Sequence, residues 1–538
     1  MVDKQEYEVL VLGAGVSGIY QIKRLIDQGV DALVLEADDD LGGTWYRNRY
    51  PGARFDSESY TYGYSFSKEV LDEWHWRERF SPQPENLRYL NFVADKFDLR
   101  RHMRFNARVV SMRWQEEKNQ WEVTTESGQV YSARFVVTGI GVLSIPTEPR
   151  YPGMDSFKGH AFHTYSWPKE PLNLSGKRVG VIGTGATGIQ VISEIADKVG
   201  ELKVFQRRPN WSTPLNNSPI SDSEMADIRS RYDEIFAKCA SSPNGFEHTP
   251  DRRGFHNLSQ AERKAFWDEL YASPGFAILA GNFPEVLVEE GPNEEMSEYV
   301  ANRIRQRVLD PLLAEKLIPK DHGFGTQRLP LETRYFEAYN RDNVHLVDLQ
   351  EAPIECITET GIQTASAHHE LDVIVYATGF NAITGGFDKL EITGVDGQLL
   401  GNKWRDGPST YLGVMTAGFP NLLMVAGPQS VSGSTNFPRA IESGVNWVTD
   451  LLQFARLQGH ARLEAQGEAE QAWLTEVIRV QEKLLARRSQ GWFTGYNSNV
   501  AGHEVGTIRY QAYFGGGPKY AAILQQVADD EYRYLDKG

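Results

Sequence analysis

An α/β fold with two Rossmann-like, doubly wound dinucleotide-binding domains is predicted by three observations. A glycine-rich turn, Gly13-Ala14-Gly15-Val16-Ser17-Gly18, directly follows the apolar run 7–12. A second, Gly183-Thr184-Gly185-Ala186-Thr187-Gly188, directly follows the run 178–182. Behind each turn come apolar residues at helical spacing and then another apolar run, so strand, turn, helix and strand occur twice in that order.

The first copy reads YEVLVL, GAGVSG, IYQIKRLIDQG and DALVLE over residues 7–36. The second reads KRVGVI, GTGATG, IQVISEIADKVG and LKVFQ over residues 177–206. A turn of this kind lets the backbone approach a pyrophosphate, while the helix behind it supplies free N–H groups and partial positive charge. One such turn is a weak signal. Two, each in its strand–turn–helix context, are a strong one.

The ends of the second strands separate the two sites. The first ends at Glu36, whose carboxylate can accept hydrogen bonds from ribose hydroxyls. The second ends at Gln206, followed by Arg207 and Arg208. A carboxylate there would repel a 2′-phosphate, whereas guanidinium groups bind one in a charge-assisted way. The first site is therefore expected to hold FAD and the second NADPH or NADP+. Arg208 alone reads equally well as a solvated surface residue.

Further along, residues 216–322 change texture: apolar residues recur at helical spacing over 225–240, 261–271 and 299–318. A helical insertion in the second domain is expected there. Strand-like runs return at 344–349 and 371–378, the latter ending in Ala377-Thr378-Gly379, and a similar run spans 135–141. The expected organisation is a FAD-binding domain begun by residues 1–144. An NADP-binding domain follows over 145–215, with a linker at 157–168, and resumes after the insertion at 323–379. Residues 380–538 are expected to rejoin the FAD-binding domain, with a structured loop near 491–504. The acidic clusters Asp38-Asp39-Asp40 and Glu294-Glu295 read as solvated surface.

Bulk properties narrow the function classes. A chain of 538 residues calls for roughly two to four domains. Its formal charge of -16 argues against nucleic acid or an anionic membrane as partner. The only cysteines, Cys239 and Cys356, lie far apart. That excludes a disulfide framework, a dithiol redox centre and a thiolate metal site, and it suits a reducing cytoplasm. No apolar stretch approaches the roughly 20 residues of a membrane span, and no signal peptide is expected.

Two longer motifs go beyond nucleotide binding. Residues Phe157, Gly159, His163, Thr164, Trp167 and Pro168 spell F-x-G-x-x-x-H-T-x-x-W-P, and residues 42–56 fit [AG]-G-x-W-x4-[FY]-P-[GM]-x3-D throughout. With both glycine turns, the chain resembles the type I flavin-dependent Baeyer–Villiger monooxygenases along nearly its whole length. It is similar to those acting on phenylacetone, steroids and cyclohexanone. The resemblance implies a reaction in which NADPH reduces FAD, the reduced flavin captures dioxygen as a C4a-peroxide, and the peroxide attacks a ketone. A carbon–carbon bond then migrates to oxygen, giving an ester or lactone; sulfoxidation is an implied secondary activity. The implied partners are a small ketone and O2, with no nucleic acid, membrane or metal, in a cytoplasmic monomer or weak oligomer.

The resemblance also assigns residues. The active-site arginine falls on Arg328 and its carboxylate partner on Asp56. Cofactor contacts fall on Gly13, Gly15, Val16, Ser17, Gly18, Glu36 and Ala37, on Gly43, Thr44, Trp45, Asp56, Tyr62 and Val109, and on the second turn, Gly183 to Gly188. They continue at Gln190, Arg207, Arg208, Gln327, Arg328, Ala377, Thr378 and Trp492, the last on a loop expected to close over NADP. The substrate loop falls on residues 427–436, with Ser432, Gly433 and Ser434 nearest the ketone. His163 and Trp167 are read as hydrogen-bonding and packing struts coupling the NADP domain to the flavin site. Two departures stand out: Gln327 replaces the lysine usual before the active-site arginine, and residues 138–141 read Thr-Gly-Ile-Gly rather than A-T-G. The first weakens the expected grip on a 2′-phosphate.

A flavin monooxygenase that oxidises nitrogen or sulfur shares both turns but lacks the H-T-x-x-W-P ending. A disulfide reductase is excluded by the cysteines. A non-catalytic redox-sensing protein would keep both turns but has no use for Asp56 and Arg328 together.

Overall fold

Strand β1 (Glu6–Leu12) is buried along its last four residues, as a central strand covered on both faces must be. The structure, a computed structural model, describes residues 5–431, 435–503 and 508–538. Beyond β1 the chain turns at Gly13 into helix α1 (Val16–Asp27), whose apolar face covers the sheet, and returns as β2 (Ala32–Leu35) parallel to β1.

The first sheet continues through β3 (Met103–Arg104), β4 (Val109–Gln115), β5 (Gln120–Thr125) and β6 (Val130–Thr138). Its order is Glu391–Thr393, β4, β5, β6, β1, β2, β3, and Leu422–Met424 also pairs with β6. The pairs β1–β2, β1–β6 and β2–β3 are parallel, while β4–β5–β6 forms an antiparallel meander. The long helix Phe437–Gln458 packs against α1, where Tyr20 donates to Asn446 at 2.7 Å and Gln21 to Thr449 at 3.0 Å. Three C-terminal segments thus complete the first sheet and its core.

The second sheet is wholly parallel. Its order is Val344–Asp348, β9 (Glu201–Gln206), β8 (Arg178–Ile182), Val373–Tyr376 and β7 (His160–His163). Residues 160–163, within the expected linker 157–168, supply the edge strand of this sheet.

Between residues 216 and 322 the chain is helical, with Asp222–Ser230, Tyr232–Ser241, Gln260–Ala272, Glu290–Arg307 and Pro311–Leu317. The expected helical stretch 299–318 is two helices. Val308 is extended, and Asp310 caps the second helix by accepting from Leu312 N–H at 2.9 Å, ahead of Pro311. A proline suits a first turn and disfavours helical backbone in the residue before it, so the break belongs there. Among the described residues no helix is long and apolar enough to cross a membrane.

Candidate active site

Both glycine turns owe their shape to the lack of a side chain. Gly13 and Gly183 have φ of +99° and +109°. A Cβ on Gly18 would lie 1.8 Å from the Gly13 carbonyl oxygen, and one on Gly188 2.2 Å from that of Gly183. These last glycines let helix and strand close up. The middle glycines do the opposite. Gly15 faces Gly43 of the second motif, whose added Cβ would meet Gly15 Cα at 3.0 Å, and nothing lies within 4 Å of a Cβ on Gly185. Neither Gly15 nor Gly185 gives its helix a side-chain cap, so the first N–H groups of both helices are left for an anion.

Glu36 follows β2 directly and is buried. Its carboxylate accepts from Ala14 N–H at 2.6 Å and from Asp38 N–H at 2.8 Å, while burial pushes its pKa up. Asp38 corrects an expectation: it is buried, pairs with Arg47 and lies 4.0 Å from Arg108. A run of three aspartates reads as surface, but arginines from two other segments reach this one.

One cavity of about 1110 Å³ joins both turns. Of the expected residues, Gly13, Gly15, Val16, Ser17, Glu36, Ala37, Gly43, Thr44, Trp45, Asp56, Tyr62 and Val109 line it. So do Gly185, Ala186, Thr187, Gln190, Gln327, Arg328, Ala377 and Trp492. Gly18, Gly183, Thr184, Gly188, Arg207, Arg208 and Thr378 lie outside that lining. Thr184 donates to the Arg208 carbonyl at 2.9 Å and Thr378 to that of Thr147 at 2.6 Å. The arginine side chains turn to the C-terminal segment, Arg207 donating to Ser498 at 2.6 Å and Arg208 to Gln490 at 3.0 Å. Ser432, Gly433 and Ser434 lie outside the described residues, as does Glu504.

In the wall between the turns, Arg328 Nη2 donates to Asp56 Oδ2 at 2.6 Å, although 272 residues separate them. A second guanidinium nitrogen donates to the Leu329 carbonyl, and the guanidinium carbon sits 5.0 Å from the centre of the Phe276 ring. A carboxylate, a carbonyl and an aromatic face thus fix this cation, leaving guanidinium N–H groups for the cavity. Nearby, Trp45 donates to the Tyr62 hydroxyl at 2.9 Å, and Tyr50 donates to Gln190 at 2.9 Å, joining the second motif to the second glycine helix. Phe276 and Tyr50 were not among the expected site residues, although Tyr50 fills the [FY] position of the second motif. Tyr50 stands inside the motif 42–56 and could have been found there; Phe276 carries no local signal.

His163 is buried at the end of β7. Its Nδ1 accepts from Tyr165 N–H at 3.1 Å, and its ring meets Phe380 edge-on at 5.6 Å. Burial pushes its pKa down to about 4, against a weaker upward pull from the Gly379 backbone. Trp167 packs edge-on against Phe162 at 4.8 Å. Neither lines the cavity.

Comparison with known proteins adds independent findings. A family model described as flavin-binding monooxygenase-like matches residues 6–218. The 2-oxo-Delta(3)-4,5,5-trimethylcyclopentenylacetyl-CoA monooxygenase of Pseudomonas putida is 44% identical, over 98% of this chain and 97% of its own. A Baeyer-Villiger monooxygenase of Pseudooceanicola batsensis is 36% identical over 98% and 96%. The solved structure of OTEMO in complex with FAD and NADP covers 100% of both chains, with TM-score 0.95 at 43% identity.

Proposed function

The chain belongs to the flavin-dependent Baeyer–Villiger monooxygenases, and we propose that it uses NADPH and dioxygen to convert ketones into esters or lactones. The observation that carries this reading is the Arg328–Asp56 pair in the wall of a cavity reached by both glycine turns. A protein that only bound the two nucleotides would need the turns and not the pair.

The residues present fit both cofactors. The first sheet with its turn forms a FAD-binding Rossmann-like domain, and the second, wholly parallel sheet forms the NADP-binding one. The uncapped start of α1, the Gly15–Gly43 contact and Glu36 offer pyrophosphate and ribose contacts to FAD. Gly185 and the open space beside it receive the NADP pyrophosphate, with Arg207 reading the 2′-phosphate. Bound FAD supplies the redox chemistry, accepting a hydride from NADPH and delivering one oxygen atom of O2 to the ketone.

The protein supplies position and charge. Arg328 places a fixed, preorganised cation where negative charge develops on oxygen. Asp56 holds that guanidinium in one orientation and keeps it from swinging into solvent. Aromatic and aliphatic side chains, among them Phe246, Phe276, Leu279 and Phe437, give the remaining space an apolar wall suited to the hydrocarbon part of a ketone. Purified holoenzyme offered NADPH, air and a panel of cyclic, linear and aromatic ketones should form ester or lactone from at least one. NADPH-dependent oxygen consumption without ester from any of them would overturn the proposal.

A further inference from the structure

The segment 489–498 touches two parts of the molecule that sequence reading keeps apart. On one side it meets Arg207 and Arg208, the two arginines that follow β9. Arg207 Nη1 donates to Ser498 Oγ at 2.6 Å, and Arg208 Nη1 donates to Gln490 Oε1 at 3.0 Å. Arg208 also lies 3.3 Å from Asp321, with its guanidinium carbon 5.8 Å from the Tyr496 ring centre. On the other side the segment meets the chain leading into Arg328. Ser489 Oγ donates to the Thr326 carbonyl at 2.8 Å, Gln327 Nε2 donates to the Gln490 carbonyl at 3.2 Å, and Trp492 lines the cavity.

We propose that Ser498 is a specificity-determining residue that makes recognition of the coenzyme 2′-phosphate and seating of its end of this segment over the site one event. The proposal rests on the assignment of Arg207 as the phosphate ligand. A guanidinium has five N–H donors, and Ser498 takes one, so phosphate oxygens and Ser498 share the same group without competing. Arg207 and Ser498 are both exposed. An exposed hydrogen bond from a free arginine contributes little, because ordering the side chain opposes it. A bound 2′-phosphate removes that opposition by fixing the guanidinium beforehand, and the bond to Ser498 then forms at full strength. By linkage the effect is mutual: seating the segment raises affinity for NADP+ by the factor by which NADP+ favours seating. NAD+ has no phosphate to order Arg207, so it leaves the Ser498 end of the segment unseated. Arg208, already held by Asp321 and Gln490, anchors only the Gln490 end, whichever coenzyme is present.

The test is the dissociation constants of NADP+ and NAD+, by titration of FAD-loaded parent, Ser498→Ala, Ser498→Thr, Arg207→Ala and Arg207→Ala/Ser498→Ala, with limited proteolysis of the segment in parallel. Ser498→Ala should weaken NADP+ about fivefold, the lower end of ordinary site-to-site coupling, and leave NAD+ unchanged. Ser498→Thr should restore the parent value, and Ser498→Ala should add nothing once Arg207 is gone. NADP+ should protect the segment from proteolysis in the parent and not in Ser498→Ala. Equal weakening of both coenzymes, or a full additional loss in the double variant, overturns the proposal. If Arg207→Ala discriminates between coenzymes while Ser498→Ala does nothing, the latch fails and the phosphate assignment stands. If Arg207→Ala weakens both coenzymes alike, the phosphate assignment itself fails and takes the latch with it. Ester formation by the parent reports separately on the oxygenation reading.

Discussion

Arg328 carries the most weight of any single residue. Its partners are a carboxylate, a backbone carbonyl and the Phe276 ring, none of which holds FAD through the first turn. Arg328→Ala should therefore fold and retain FAD while ester formation falls about a hundred- to a thousandfold, as expected when one preorganised charge donor is lost. Asp56→Asn should cost less, because the amide still accepts one hydrogen bond and the Leu329 carbonyl still orients the guanidinium. Product formed per unit of bound FAD checks both, and near-parental ester from Arg328→Ala would refute the assignment. His163 gives a pH-dependent prediction. Folded, it titrates near 4 instead of the ordinary 6.5, so the unfolded chain binds the extra proton between those values. Stability should be full above about pH 6.5 and fall by up to about 3 kcal/mol as pH drops toward 4. The neutral ring accepts from Tyr165 N–H through Nδ1, a contact that protonation there breaks. Denaturant midpoints of parent and His163→Gln across that range should show the slope reduced in the variant. Asp56 was legible because it ends the motif 42–56, and Arg328 only through the family resemblance; the Phe276 ring beneath the guanidinium was not, since nothing around residue 276 marks it.

Among the elements, the glycine turns separate packing from binding. Gly18→Ala would put a methyl 1.8 Å from a backbone oxygen that cannot move without unseating α1. It should cost stability and FAD together. Gly185→Ala meets nothing within 4 Å in the protein itself, so it should fold and bind FAD normally while raising the KM for NADPH. Thermal midpoints, flavin content and coenzyme kinetics distinguish the two, and equal damage from both would contradict the assignment. Strand–turn–helix units were legible because their signals are local: an apolar run, then glycine, then apolar residues at helical spacing. Helix ends were less so. The apolar pattern continues across Val308 to Asp310, and only the Asp310-Pro311 pair marks the restart. Within the expected linker 157–168, the strand at 160–163 is likewise invisible locally, because its partner, Val373–Tyr376, lies more than two hundred residues later.

At the scale of the whole molecule, long-range pairing sets the site. Leu422–Met424 lies beside β6, and Phe437–Gln458 beside α1, so the C-terminal third closes the sheet that the first residues begin. No local pattern encodes such pairings, and the burial of Asp38 escaped notice for the same reason: its arginine partners come from residues 47 and 108. What this architecture achieves is to set both glycine turns and one fixed arginine around a common cavity. The claim that the cavity inserts oxygen into ketones is tested most directly by isotope. FAD-loaded enzyme should be given NADPH, an accepted ketone and 18O2 in unlabelled water, and the ester examined by mass spectrometry. One 18O atom per ester is expected, in the bridging position, with the carbonyl oxygen unlabelled and close to one ester formed per NADPH consumed. NADPH oxidation that yields only hydrogen peroxide, or ester carrying no label, would contradict it.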